Sequence, residues 1–242
     1  MAACPNATLL AHPRAAPHVI DPSRIVKGST AVYGAERFAE LYGEIRPVSA
    51  ERVQALEDGE TRTLGHRTLS FLHTRGHANH HFCIHDDGAN GVFTGDSFGI
   101  LYPALQRNGL LCFPSTTPTD FDGPAALASL DRIVQTGAER VWPTHMGEYT
   151  RVNEIAQQLR PQLEAYINLV DEADASDRDG EKLDQFCHAQ IAEMFRLLLD
   201  QHGLGSDRQA HALVSLDLDL NAQGVAFAVR KRRYKRAKHP RN

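Results

Sequence analysis

Cysteine is scarce in this sequence, and no two cysteines are paired by spacing. Cys4, Cys83, Cys112 and Cys187 lie far apart within the 242 residues, and no CxxC pair occurs. This spacing excludes a zinc knuckle and argues against a disulfide framework, because disulfide-dense domains carry closely spaced cysteines in short chains. We therefore expect a reducing compartment and predict a cytoplasmic protein.

Long apolar runs are also missing. No uninterrupted apolar stretch approaches the roughly 18 residues that a membrane-spanning helix needs, and the first residues do not form a basic region followed by an apolar one. We therefore predict neither a membrane partner nor a signal peptide. Hydrophobic residues make up 42% of the chain and charged residues 23%, which is typical of a globular protein able to bury a core.

Charge is distributed unevenly along the chain. The formal net charge is −4, yet residues 230–242 contain eight Lys or Arg and no acid, which leaves 18 basic against 30 acidic residues elsewhere. A run of like charge is typical of a solvated end, so we predict a disordered basic tail. Nucleic acid is the less favoured alternative partner, because Tyr234 is the one aromatic residue available there for base stacking.

Apolar periodicity predicts strands early in the chain and helices later, with helix 122–137 starting at the N-cap Asp122. This order predicts an α/β fold. We divide the chain into a core over 1–150, a helical appendage over 151–229 and the tail over 230–242. The predicted strands are 8–11, 68–73, 81–85, 91–94 and 141–143, and the other predicted helices are 35–42, 151–173, 181–202 and 206–215.

Three potential metal ligands each follow a predicted strand. They are His77, Asp96 and His145. Loops at neighbouring strand ends are where α/β proteins assemble sites, and imidazole and carboxylate are the ligands expected for zinc or a related divalent ion. Gly76 and Gly95 precede two of these residues and would allow a sharp backbone turn at each.

The sequences around these three residues resemble motifs of the metallo-β-lactamase superfamily of hydrolases. They are GHxxxH around His77, FTGD ending at Asp96, 19 residues further on, and PTHxGE around His145. The resemblance covers residues 5–150. It implies that His77 binds one metal ion, Asp96 bridges two and His145 binds the second. It also implies a partial αββα sandwich with a C-terminal helical appendage, and one or two zinc ions, with iron or manganese as alternatives.

The sequence departs from that family in one important respect. The HxHxDH motif, which in the family supplies up to four ligands and the usual proton acceptor, does not occur here. We expect that the native protein carries this motif before Met1, since the chain opens on a strand in mid-domain. The alternative is that the shortened chain is the product, with a weak or absent metal site. Arg75, where the family often has proline, is a minor departure.

The resemblance implies a metal-dependent hydrolase. In such an enzyme a metal-activated water attacks an ester, thioester, lactone or phosphodiester, and we expect a small-molecule substrate and a possible homodimer. The alternative is a non-catalytic binding or interaction protein built on a decayed hydrolase fold. No GxSxG motif occurs that would favour a serine nucleophile.

Four further histidines leave alternatives open. His80 and His81 are replacement ligands or supporting residues of the metal site, or they simply begin the next strand and face alternately outward and inward. His12 and His18 flank a proline-rich loop and either line the cleft or lie in solvent.

Overall fold

The computed structural model describes residues 1, 3–145 and 147–238. Two sheets and four shorter helices are followed by three long helices. The strands are β1 (Leu9–Ala11), β2 (Val53–Ala55), β3 (Thr61–Leu64), β4 (Arg67–His73), β5 (Phe82–Asp86), β6 (Gly91–Gly95) and β7 (Arg140–Pro143); the helices are α1 (Ala16–Ile20), α2 (Ser23–Tyr33), α3 (Ala35–Tyr42), α4 (Gly123–Gln135), α5 (Val152–Ala175), α6 (Gly180–Gln201) and α7 (Arg208–Lys238).

The larger sheet brings the ends of several strands to one edge. Its strand order is β3-β4-β5-β6-β7, with antiparallel pairs up to β6 and a parallel pair between β6 and β7. Strands β4, β6 and β7 therefore run in the same direction and end at the same edge, where β5 begins. The smaller sheet is the parallel pair β1 and β2. The predicted α/β fold, a partial αββα sandwich with C-terminal helices, is confirmed.

Helix α4 begins as its sequence predicts. The side chain of Asp122 accepts a hydrogen bond from the backbone N–H of Ala125 at 3.2 Å, and Pro124 occupies the first turn. Leu130 and Ile133 are fully buried on the apolar face of the helix, which packs against α5. This cap fixes the start of α4 directly behind the loop that carries His77.

One hydrophobic cluster extends from the sheet into the last three helices. It includes Val92 of β6, Tyr166 of α5, Ile191 of α6 and Val225 of α7, each of them almost completely buried. Buried apolar area of this kind is the main favourable term in folding. The boundary at residue 150 stays a prediction, but side chains on both sides of it share this core.

The prediction of a disordered basic tail was wrong for residues 230–238, which form the last turns of α7. Acidic residues of α5 and α6 pair with arginines of this part of the helix. Arg230 pairs with Asp184 at 2.7 Å, and Arg236 pairs with Asp174 at 2.8 Å. These ion pairs offset the repulsion among the basic side chains, and the segment stays helical. Residues 239–242 lie outside the described residues.

Helix α7 also proves longer than the predicted helix 206–215. By length and composition it is the one helix among those described that could cross a membrane. Its apolar face, with Val214, Val225 and Val229, is buried against the rest of the protein. Because this apolar face is buried within the protein, we interpret α7 as a core helix.

Candidate metal centre

The structure brings the three predicted ligands together at the edge where β4, β6 and β7 end. His77 Nε2 lies 3.5 Å from Asp96 Oδ2, and His145 Nε2 lies 3.5 Å from Asp96 Oδ1. Each carboxylate oxygen therefore faces a different imidazole. That these residues bind metal stays a prediction, but their convergence is the geometry which that prediction requires.

Two glycines make the tight loops of this site possible. Gly76 has a φ of 126° and Gly95 a φ of 52°, both in the region that side chains other than glycine rarely adopt. A Cβ at Gly76 would collide with the backbone of Ala126, and one at Gly95 would collide with the ring of His81. The loops therefore need glycine for close approach as well as for backbone conformation.

A backbone carbonyl fixes the tautomer of His77. Its Nδ1 lies 3.1 Å from the carbonyl oxygen of Ser115, which can only accept, so Nδ1 carries the proton. Burial lowers the pKa of His77, although the Asp96 carboxylate acts in the opposite direction. The ring is therefore neutral at pH 7, and Nε2 directs a lone pair toward Asp96. In this tautomer, the neutral ring would present Nε2 to the carboxylate oxygen without a hydrogen between them.

A cation would satisfy this arrangement. Asp96 Oδ1 is buried and has no hydrogen-bond partner among the described residues, and a buried acceptor without a partner is costly. Nitrogen and oxygen donors of this kind suit zinc, iron or manganese. Nevertheless, within the described ranges no three His, Cys, Asp or Glu side chains surround one point closely enough for a single ion. The donors fit two half-sites, each with one imidazole and one carboxylate oxygen.

His81 connects the loops that carry His77 and Asp96. Its Nδ1 lies 2.8 Å from Thr74 Oγ1 and 3.0 Å from Ser97 Oγ, and its ring centroid is 6.0 Å from that of His77. Burial, together with the neighbouring His77, lowers the pKa of His81 to about 4. His81 therefore acts as a neutral hydrogen-bonding residue next to the ligands, directly before β5.

A hydrogen-bonded pair from outside the matched motifs, the half-buried Tyr102 and the buried Asp217, lies beside His145. The Tyr102 hydroxyl donates to Asp217 Oδ2 at 3.0 Å, and the Tyr102 ring meets the His145 ring edge-on with 6.1 Å between centroids. Asp217 is only 7% exposed, and burial raises its pKa to about 6. Sequence reasoning missed this pair. The sequence offered one indication of it: Asp217 lies one helical turn after the apolar Val214, on the face of α7 that is buried.

Helix α7 also holds the loop that orients His77. Asn221, which is 1% exposed, accepts from the backbone N–H of Thr116 at 2.8 Å and donates to the carbonyl of Pro114 at 3.0 Å. Ser115, whose carbonyl meets His77, lies between these two residues. Such supporting hydrogen bonds commonly decide how well a histidine ligand is oriented.

The structure also places the other three histidines whose roles the sequence left open, His12, His18 and His80. His12 is 6% exposed, and its ring lies 4.0 Å from that of His73, so His12 is not a solvent-exposed loop residue. His18 and His80 lie edge-on with 6.5 Å between ring centroids and line a cavity beside the site. His80 therefore faces this cavity, whereas His81 faces the ligand loops.

Comparisons with known proteins identify the family and the fold. The family model of the metallo-beta-lactamase superfamily matches residues 6–145, which is more than half of the chain. No curated protein matches the chain. Among solved structures, an archaeal metallo-beta-lactamase superfamily protein from Sulfolobus tokodaii has a TM-score of 0.60 at 19% identity, covering 90% of this chain and 70% of that one.

A metallo-beta-lactamase family protein from Thermus thermophilus has a TM-score of 0.57 at 16% identity, covering 96% of this chain and 67% of its own. Identities this low show a shared fold. The matched family segment contains all three converging residues, since it ends at His145. The chain therefore belongs to the metallo-β-lactamase superfamily.

Proposed function

We propose that this chain is a metal-dependent hydrolase whose metal ligands include His77, Asp96 and His145. One observation carries the proposal: Nε2 of His77 lies 3.5 Å from Asp96 Oδ2, and Oδ1 of the same carboxylate is buried without a hydrogen-bond partner among the described residues. Two acceptors held this close are stabilised by a cation between them. Membership of the superfamily supports the same interpretation.

A divalent ion at such a site supplies Lewis acidity and lowers the pKa of water that it coordinates. Asp96 presents one oxygen to each imidazole, so it is suited to bridge two ions. The carbonyl of Ser115 holds His77 in the tautomer that leaves Nε2 free. Tyr102, fixed by its hydrogen bond to Asp217, lies against His145 and restricts the orientation of that ring.

Zinc is the ion we propose first, because mixed imidazole and carboxylate ligands are typical of it. Iron and manganese bind similar nitrogen–oxygen sites and are the alternatives. We propose a small-molecule ester, thioester, lactone or phosphodiester as substrate, and we keep a cytoplasmic location and a homodimer as proposals. The pairing of tail arginines with Asp171, Asp174 and Asp184 weakens the case for nucleic acid as a partner.

One observation favours the alternative of a non-catalytic binding protein. Each half-site has two protein donors, one imidazole and one carboxylate oxygen, whereas catalytic zinc sites commonly have three. On this alternative, the chain would bind metal weakly and hydrolyse none of the four substrate types.

The test combines metal analysis with hydrolysis. The purified chain is incubated with Zn²⁺, Fe²⁺ or Mn²⁺, freed of excess ion, and assayed on one simple ester, thioester, lactone and phosphodiester. We expect bound metal and hydrolysis of at least one substrate. Asp96→Asn should weaken metal binding about tenfold or more, because the carboxylate is a direct ligand. Asp177→Asn, which removes an exposed carboxylate outside the site, should change neither property.

Equal metal content in the Asp96 and Asp177 variants would contradict the ligand assignment. Metal retention by the wild-type chain with no hydrolysis of any of the four substrates would favour the binding-protein alternative.

A further inference from the structure

A cavity of about 610 Å³ lies beside the candidate metal centre, between helices α1 and α2 on one side and the loops around residues 79–80 and 117–120 on the other. Four of its lining residues are basic: Arg14, His18, Arg24 and His80. We name this cavity the basic cleft. Its volume is that of a small-molecule site.

The two arginines of the basic cleft are not engaged by the protein. Most arginines in the described part of the chain pair with a carboxylate or donate to carbonyl groups, as Arg233 and Arg236 do. Arg14 and Arg24 are exposed, and neither side chain has a hydrogen-bond or ion-pair partner among the described residues. Two free guanidinium groups at one cavity form a donor set for an oxyanion, since each can bind two oxygens at once.

The acidic groups near the basic cleft are already occupied. Asp120 lines the cavity, but its carboxylate accepts hydrogen bonds from both the backbone and the side-chain amide of Asn79. Asp21, which lies near His18, accepts from the backbone N–H of Ser23 at 3.1 Å and does not line the cavity. The excess positive charge of the cleft therefore stays available to a ligand.

The basic cleft borders the loop that carries His77. Thr117 lines the cleft, and its hydroxyl donates to the backbone carbonyl of His77 at 2.8 Å. Tyr33 lines the opposite wall; burial and a hydrogen bond with Tyr42 raise its pKa to about 12, and the nearby charge of Asp96 contributes in the same direction. One wall of the cleft is therefore hydrogen-bonded to the backbone of the residue that we propose as a metal ligand.

We propose that the basic cleft binds an oxyanion group of the substrate, a phosphate or a carboxylate, through Arg14 and Arg24 with His18 and His80 beside them. This inference rests on the proposed function, because it names the substrate class of that same site. The anionic group would be held in the cleft, and the bond to be hydrolysed would lie toward Asp96.

The test measures anion binding by the metal-free chain, so that it does not depend on hydrolysis. Isothermal titration with inorganic phosphate, and separately with acetate, is carried out at pH 7 and constant ionic strength. Variants Arg14→Gln and Arg24→Gln each remove one guanidinium from the cleft. Lys27→Gln is the matched control, since it removes one exposed positive charge from the same helix α2 without altering the cleft lining.

We expect saturable binding of at least one anion by the wild-type chain and the Lys27 variant. Each arginine variant should bind about tenfold more weakly, the usual effect of losing a charged hydrogen bond. Saturation by phosphate alone identifies a phosphate group, and saturation by acetate alone identifies a carboxylate. No saturable binding of either anion, or equal binding by the arginine and lysine variants, would overturn the inference.

Metal content measured on the same preparations keeps the two hypotheses separate. A chain that binds phosphate but no metal retains the anion site and refutes the metal centre. A chain that binds metal but neither anion retains the metal centre and refutes the anion site.

Discussion

The candidate metal centre and the basic end of α7 both bring polar and charged side chains close together, but only the end of α7 pairs each arginine with an acceptor within the protein. Around Asp96, two imidazole nitrogens and two carboxylate oxygens approach to 3.5 Å, and one oxygen is buried without a hydrogen bond among the described residues. At the end of α7, the arginines reach acids on α5 and α6 or backbone carbonyls. Paired charges hold the fold together, whereas unpaired ones mark places where a ligand can bind.

The comparison implies opposite responses to mutation. Removing a paired group from α7 should destabilise the protein, and removing the unpaired carboxylate should not. Four substitutions test this contrast, and we take them in decreasing order of the change in stability that we expect.

Arg233→Met should lower the free energy of unfolding by about 3 kcal/mol. The guanidinium donates to the carbonyl oxygens of Ala173 and Arg178, each at 2.6 Å, and also reaches Asp174, whose side chain is 9% exposed. Methionine would remove all of these donors, and although Arg236 still pairs with Asp174, the carbonyl of Arg178 would have no other donor among the described residues. Urea unfolding followed by circular dichroism measures the change.

The control for this prediction is Arg208→Met, which alters an exposed arginine at the start of the same helix. It should change the stability by less than about 0.5 kcal/mol, as surface substitutions usually do. Similar losses of stability in the two variants would mean that the contacts of Arg233 do not stabilise the end of α7.

Asn221→Ala should cost about 2 kcal/mol of stability, because the backbone N–H of Thr116 would lose its buried acceptor. The loop that carries Ser115 would loosen, and His77 would be less well oriented. Metal affinity should therefore fall together with stability, by about tenfold. Calorimetric metal titration beside thermal unfolding checks both effects. Unchanged affinity in a destabilised variant would show that α7 does not support the site.

Asp96→Asn should raise the stability of the metal-free protein by about 1 kcal/mol. An amide in place of the carboxylate removes the unsatisfied charge, and its N–H₂ group can donate to the free Nε2 of His77. The same variant should lose metal-dependent stabilisation. Thermal unfolding with and without Zn²⁺ measures both changes. A metal-free variant less stable than the wild-type chain would argue that Asp96 is already satisfied within the fold.

His12→Asn should reduce the sensitivity of the protein to acid. Burial, followed by the effect of His73, lowers the pKa of His12 from 6.5 to about 4, and its Nδ1 accepts from the backbone N–H of Arg14 at 3.0 Å. The neutral form is favoured by folding, so its contribution is present above pH 6.5 and is lost as the pH falls toward 4. Asparagine keeps an acceptor without titrating in this range.

Between pH 7 and about pH 5.7 the wild-type chain should lose about 1 kcal/mol more than the His12 variant. His66→Asn, at an exposed histidine, serves as the control and should follow the wild type. Parallel curves for all three proteins would refute the role assigned to His12.

Local pattern was sufficient for most elements of the fold. The helix 35–42 and the cap at Asp122 were predicted from sequence and are present, because each depends on neighbouring residues. The convergence of His77, Asp96 and His145 follows from strand direction. Strands β4 and β6 are alternate strands of the antiparallel part of the sheet, and β7 is parallel to β6, so all three end at the same edge.

Tertiary contacts decided the rest. The basic segment 230–238 was predicted to be disordered because its own charges repel, yet its acidic partners, Asp171, Asp174 and Asp184, lie about 50 to 60 residues earlier in the chain. Asp217 reaches Tyr102 from a different part of the sequence. No local pattern could have predicted these pairings.

Crystals of the chain grown with Zn²⁺ or Mn²⁺ would test the metal assignment itself, through the anomalous scattering of the ion. We predict a peak between His77 Nε2 and Asp96 Oδ2, or between His145 Nε2 and Asp96 Oδ1, or at both positions. A structure in which the metal lies elsewhere, with a proton joining His77 to Asp96 in a direct hydrogen bond, would contradict this assignment.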